Sequence, residues 1–153
     1  SKMAELVRGA DYVLPNLTEA ALLVGEKPCL SGYDKRYISD LVKKLHALGA
    51  KNVVLTGVSF DKSELGTATS DGNSIVYDFN PRLARMSHGT GDVFASVFAG
   101  AVVRGASATQ AAALAADIVC EAIEATAEDH WYGVSFEKTI PSLCAKIGNL
   151  AQN

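Results

Sequence analysis

The stretch ADYVLPNLTEAALLVG, residues 10–25, changes its periodicity at a single proline. Before it, Asp11 to Leu14 read as a short buried strand that ends at Pro15, since proline brings no N–H to a sheet ladder. After it, NLTEAALLVG reads as a helix. Asn16, or Leu17–Thr18, stands near its start, Glu19 lies in its first turn, and Gly25 closes it. A strand running directly into a helix is the repeating unit of an α/β layered fold.

Working outward, Met3, Leu6 and Val7 give the opening segment Lys2 to Gly9 a short helical pattern. EKPCLSGYDKR, residues 26–36, is loop. From Tyr37 to Leu48, Ile38, Leu41, Val42, Leu45 and Leu48 recur at helical spacing. AKNVVLTGV, residues 50–58, is a second apolar strand, entered through Gly49 and left at Gly57. Neither strand alternates, as expected of a parallel sheet covered on both faces. Glu64 to Thr69 and Ser74 to Phe79 form a hairpin about Asp71-Gly72. Three helices follow: about Thr90 to Arg104, Ser107 to about Ala127, and Ser135 to about Ile147. Only two strongly apolar strands and a hairpin are few for a doubly wound sheet. The chain also starts without methionine, so it is expected to be part of something larger.

With 153 residues, 48% of them hydrophobic and 20% charged, the composition is that of a folded domain. A formal charge of −3 makes no electrostatic case for nucleic acid or an anionic membrane as partner. Three cysteines, Cys29, Cys120 and Cys144, lack metal-type spacing and read as reduced thiols in a cytoplasmic protein. No signal peptide is visible, and the most apolar run, residues 93–103, is too short to span a bilayer. Asn16-Leu17-Thr18 matches a glycosylation sequon by chance.

The chemistry concentrates at SHGTGDVFASVFAG, residues 87–100. Glycines let the backbone turn tightly and let a ligand approach its N–H groups. Beyond them Val93, Phe94, Val97, Phe98, Ala101 and Val102 bury a helix whose N-terminus suits an anion. Two readings compete: Asp92 complements the helix dipole, or the turn holds a phosphate while Asp92 acts beside it. The run is neither a Walker A loop nor a dinucleotide G-x-G-x-x-G. In PNLTEA, Asn16 and Glu19 sit at a strand-to-helix junction, where ligands of such sheets bind. Glu19 could orient water around magnesium, or the pair could merely cap the helix. Thr56-Gly57 leaves its strand at the same edge. His46, His88 and His130 have no partner at ligand spacing and read as structural or turn residues.

In order and spacing, ADYVLPNLTEAALLVG, VVLTGV and HGTGDVFASVFAGAVVRG resemble the carboxyl-terminal half of ribokinase-superfamily kinases. Within these the likeness is to pyridoxal (pyridoxine, pyridoxamine) kinases, and the tail CEAIEATAEDHWYGVSFEKTIPSL shares it. The resemblance implies a three-layer α/β/α fold with a mostly parallel central sheet. Residues 1–153 would be the ATP-binding, carboxyl-terminal half of one kinase domain, inactive alone and homodimeric when complete. It implies ATP-dependent phosphorylation of the 5′-hydroxymethyl group of a B6 vitamer, with hydroxymethylpyrimidine or a sugar as the alternative acceptor. A non-catalytic nucleotide-binding module is the alternative from another class. By resemblance Asp92 is the general base, while Gly89, Thr90 and Gly91 offer N–H groups to the transferred phosphoryl. Asn16 and Glu19 match an Asn-x-x-Glu motif for ATP and hydrated Mg2+, and Thr56, with Gly57 adjacent, would contact nucleotide phosphates.

Overall fold

The computed structural model describes residues 2–84, 88–127 and 132–150. They form two compact units, Ser1–Pro81 and Arg82–Asn153. His130 and Ser87 lie outside the described residues.

The first unit runs α1 (Lys2–Gly9), β1 (Tyr12–Val13), α2 (Leu17–Leu23), α3 (Lys35–Ala47), β2 (Asn52–Val58), β3 (Glu64–Ser70) and β4 (Ile75–Pro81). Its sheet has the order β1-β2-β3-β4. β1 and β2 are parallel, as the intervening helices require. The short connection over residues 59–63 makes β2–β3 antiparallel, and β3–β4 is the hairpin read from Asp71-Gly72. Asp71 fixes that turn by accepting from the N–H groups of Asn73 and Ser74 at 2.9 and 3.1 Å. These bonds favour the ionised acid and hold its carboxyl below the usual range.

β3 and β4 depart from the sequence expectation by one or two residues at their ends, and the larger departures, at β1 and β2, have local causes. β1 is shorter than Asp11 to Leu14, because Pro15 breaks the regular ladder. Pairing nevertheless continues around it. Asn52 N–H donates to the Asp11 carbonyl at 3.1 Å, and Thr56 N–H to the Pro15 carbonyl at 2.9 Å. At the other end β2 does not leave at Gly57. It runs on to Val58 through a register shift between Thr56 and Val58, with Gly57 at φ 75°. An L-side chain is strained in that left-handed conformation, so the bulge depends on glycine.

Hydrophobic periodicity accounts for the core. Ile38, Leu41, Val42 and Leu45 of α3 pack with Leu17 and Ala20 of α2 against Val53, Leu55, Val58 and Ala68. Val53, Val54 and Leu55 are successive in β2 and all 0% exposed, so both faces of this strand are covered. That is why the strand shows no alternation. His46 is structural, as expected: its Nδ1 lies 2.8 Å from the Ala50 carbonyl and its Nε2 3.0 Å from Ser70 Oγ.

The second unit contains α4 (Thr90–Val103), α5 (Ala108–Ala125), a 3-10 turn (Phe136–Thr139) and α6 (Ile140–Leu150). α4 packs on α5; Phe94, Val97, Phe98 and Ala101 of α4 and the small Ala111, Ala115 and Ala122 of α5 are buried. The single tail helix expected from Ser135 divides at Ile140, placing Pro141 in the first turn of α6, where its missing N–H has no intrahelical partner to lose. Lys146 donates to Glu121 across α5 and α6 at 2.8 Å and lowers its carboxyl pKa. Among the described residues no disulfide links Cys29, Cys120 or Cys144. Nor is any helix among them long and apolar enough to cross a membrane.

Candidate functional site

In the first unit, the end of β1 and the start of α2 bring Asn16 and Glu19 into a reciprocal bond. Asn16 Oδ1 accepts from the Glu19 N–H at 2.9 Å, and Glu19 Oε2 accepts from the Asn16 N–H at 3.0 Å. This is a complete capping box, which satisfies two donors that a helix start otherwise leaves unpaired. The capping alternative raised by the sequence is therefore realised. It also fixes the Glu19 carboxylate at the helix N-terminus, with the residue exposed and one oxygen occupied.

Thr56 stands next to this box. Asn16 and Thr56 form an isolated parallel bridge beyond β1, and Thr56 Oγ1 donates to the Pro15 carbonyl at 3.4 Å. The bulge at Gly57 follows immediately. The fold thus gathers Asn16, Glu19, Thr56 and Gly57 at one end of the parallel strand pair. Sequence reading missed the bulge, although its signal was present: Val58 resumes the apolar run beyond an isolated glycine.

The donor set suits a hard, hydrated cation. Glu19 offers a carboxylate, and Asn16 and Thr56 are oxygen-bearing neighbours. No group of three or more His, Cys, Asp or Glu residues arranged to hold a metal ion occurs among the described residues. Magnesium needs no such cage, since it keeps several waters and takes one or two carboxylates together with phosphate oxygens. Glu19 is the residue here that would hold it, through water.

Gly89, Thr90, Gly91 and Asp92 lie in the second unit, at the start of α4. Gly89 is the N-cap residue at φ 83°, and its carbonyl accepts the first helical bond from the Val93 N–H at 3.1 Å. Gly89 has no side chain to offer, and no side-chain cap bond forms at this end among the described residues. The first N–H groups of a helix have no intrahelical acceptor. Thr90 is half-buried, and Gly89, Gly91 and Asp92 are exposed. Burial of Phe94, Val97 and Phe98 holds the helix behind them. His88 is a turn residue, its ring stacked on Tyr132 with centroids 6.1 Å apart.

An α/β unit with a carboxylate at a strand-to-helix junction, and a helical unit opened by Gly-Thr-Gly-Asp, fit a kinase of the ribokinase superfamily. The chain belongs to the phosphomethylpyrimidine kinase family, whose sequence profile matches residues 1–134. The hydroxymethylpyrimidine/phosphomethylpyrimidine kinase of Aquifex aeolicus is 28% identical over 123 residues, covering 79% of this chain and 46% of that protein. Pyridoxal kinase from Lactobacillus plantarum superposes with a TM-score of 0.80 at 30% identity, covering 96% of this chain and 52% of that one. A candidate phosphomethylpyrimidine kinase from Bacteroides thetaiotaomicron, crystallised with pyridoxal, superposes at 0.83 with 25% identity, covering 94% and 52%. The chain spans about half the length of these relatives, 46–52% of each.

Proposed function

We propose that this chain is the nucleotide-side half of an ATP-dependent kinase that phosphorylates a hydroxymethyl group on a small aromatic heterocycle. The observation that carries the reading is the start of α4. A left-handed glycine turns the chain into a helix with no side-chain cap among the described residues, and Asp92 sits in its first turn. On this reading the N–H groups at Gly89, Thr90 and Gly91 stabilise negative charge on the phosphoryl group in transfer. Positioning and electrostatics of this kind supply most of the catalysis of phosphoryl transfer. Asp92 takes the proton of the acceptor hydroxyl as its oxygen bonds to the γ-phosphorus, while the bond to the β,γ-bridging oxygen breaks and ADP leaves. Glu19 orients water on magnesium, which neutralises phosphate charge when bound. Thr56 contacts phosphate oxygens.

The acceptor we favour is pyridoxal or another B6 vitamer. Two features support it: the tail sequence, and the pyridoxal carried by the Bacteroides structure to which this chain is similar. Hydroxymethylpyrimidine is the competing acceptor, favoured by the family match. The test is a competition assay on the intact protein with ATP, magnesium and equimolar pyridoxal, hydroxymethylpyrimidine and ribose. We expect pyridoxal phosphate as the main product. Predominant phosphorylation of the pyrimidine would overturn the acceptor, and no product from any of them would overturn the kinase reading.

A further inference from the structure

The bulged end of β2 belongs to a polar row that crosses the whole sheet. Register places Asn16 beside Thr56, Thr56 opposite Thr67 on β3, and Thr67 opposite Asp78 on β4. Directly opposed residues of paired strands project from the same face, with Cβ atoms about 4.5–5.5 Å apart. Asn16 and Thr56 belong to the nucleotide site proposed above. Thr67 and Asp78 have no part in it.

Thr67 is 3% exposed, and its Oγ1 makes no hydrogen bond. Among the described residues it is the one buried side-chain nitrogen or oxygen in that condition. A buried hydroxyl without a partner costs stability that an isosteric valine would not. Packing alone therefore gives no reason for threonine here. Its neighbour in the row, Thr56, makes only a long bond of 3.4 Å to the Pro15 carbonyl, at the weak end of the range. A hydroxyl can both donate and accept, so Thr56 Oγ1 can accept from one hydroxyl while donating to another group. Asp78 makes the β4 end of the row unfavourable for an anion, which leaves the Asn16–Thr56 end for phosphate oxygens.

We infer that Thr67 is a positioning residue for phosphate bound at Thr56. When Thr56 turns its hydroxyl from the Pro15 carbonyl to a phosphate oxygen, Thr67 Oγ1–H donates to Thr56 Oγ1 and holds it in that rotamer. The inference rests on the nucleotide role proposed for Thr56 and adds a residue to it.

The test is binding of a non-hydrolysable ATP analogue to the intact protein, followed by calorimetry, with steady-state kinetics alongside. Thr67→Val should raise Kd and the KM for ATP about fivefold, the worth of one hydrogen bond, and leave kcat unchanged. Its unfolding temperature should stay level or rise, and Thr67→Ser should restore affinity. In a Thr56→Ala background, Thr67→Val should weaken binding no further. Wild-type affinity in Thr67→Val, with Thr56→Ala impaired, would overturn the positioning role alone; additive losses in the double variant would do the same. Wild-type affinity in Thr56→Ala would overturn the nucleotide reading beneath it. Should Thr67→Val not fold, Thr67→Ala carries the same readouts.

Discussion

The starts of α2 and α4 solve the same problem in opposite ways. Both helices leave their first N–H groups without intrahelical acceptors, and both carry an acid in the first turn. At α2 the chain closes the end on itself, with Asn16 and Glu19 exchanging bonds of 2.9 and 3.0 Å. At α4 a glycine at φ 83° takes the cap position and has no side-chain acceptor to offer. An acid after a turn therefore carries no fixed meaning. Glu19 completes a cap, and any ligand must use what the cap leaves over. Asp92 stands at an end that the sequence leaves open, which is the arrangement an incoming anion needs.

The sharpest way to break this comparison is to remove the charge at each end. In the intact protein, Asp92→Asn should lower kcat by about 10²–10⁴-fold, the usual contribution of a general base. Nucleotide affinity should hold, because the backbone donors remain. Turnover near the wild-type rate would make Asp92 a dipole-matched acid like any other, and the contrast with α2 would lose its functional content.

How legible this contrast is in sequence depends on which forces set each feature. α1, the parallel pairing of β1 with β2, the hairpin and the helical spacing of α3 all follow from local periodicity and turn chemistry. The caps at Asn16 and Ser107 were equally accessible, since Glu19 and Gln110 stand three residues on, as a capping box requires. The bulge at Gly57 was not read: Val58 resuming the apolar run after an isolated glycine hints at it, but a strand ending there leaves the same pattern. Only the register with Gly66 across β3 decides it. The row from Asn16 to Asp78 was beyond reach for a related reason. Its members lie far apart in the chain, and cross-strand alignment exists only after folding. Gly-Thr-Gly-Asp was visible at once, but that no side-chain cap forms at α4 among the described residues is a geometric fact.

A smaller effect should separate the two glycines around Thr90. Gly89 is left-handed while Gly91 is helical, and neither would bring an added Cβ within 4 Å of a neighbour. Gly89→Ala should therefore lose stability through backbone strain alone, about 1–2 kcal/mol. Gly91→Ala should gain up to about 1 kcal/mol, because alanine gives up less conformational freedom in a helix. Thermal unfolding of the two variants measures both signs. If the open end serves phosphate, Gly91→Ala should nonetheless bind nucleotide less well, with its methyl group beside the donors. A Gly89→Ala variant as stable as wild type would show that the turn is not left-handed in solution.

The subtlest test falls on the closed end. Glu19→Gln removes charge while keeping the cap, since glutamine serves a capping box as well as glutamate. Stability should therefore change by no more than the few tenths of a kcal/mol lost from the helix dipole at an exposed site. The magnesium concentration for half-maximal activity should nevertheless rise, because a neutral amide attracts the hydrated ion less strongly than a carboxylate. The two readouts separate the roles that the sequence left entangled. An unchanged magnesium dependence with an intact fold would confine Glu19 to capping. α2 would then be a closed end and nothing more, and Thr56 would be left to meet the nucleotide without it.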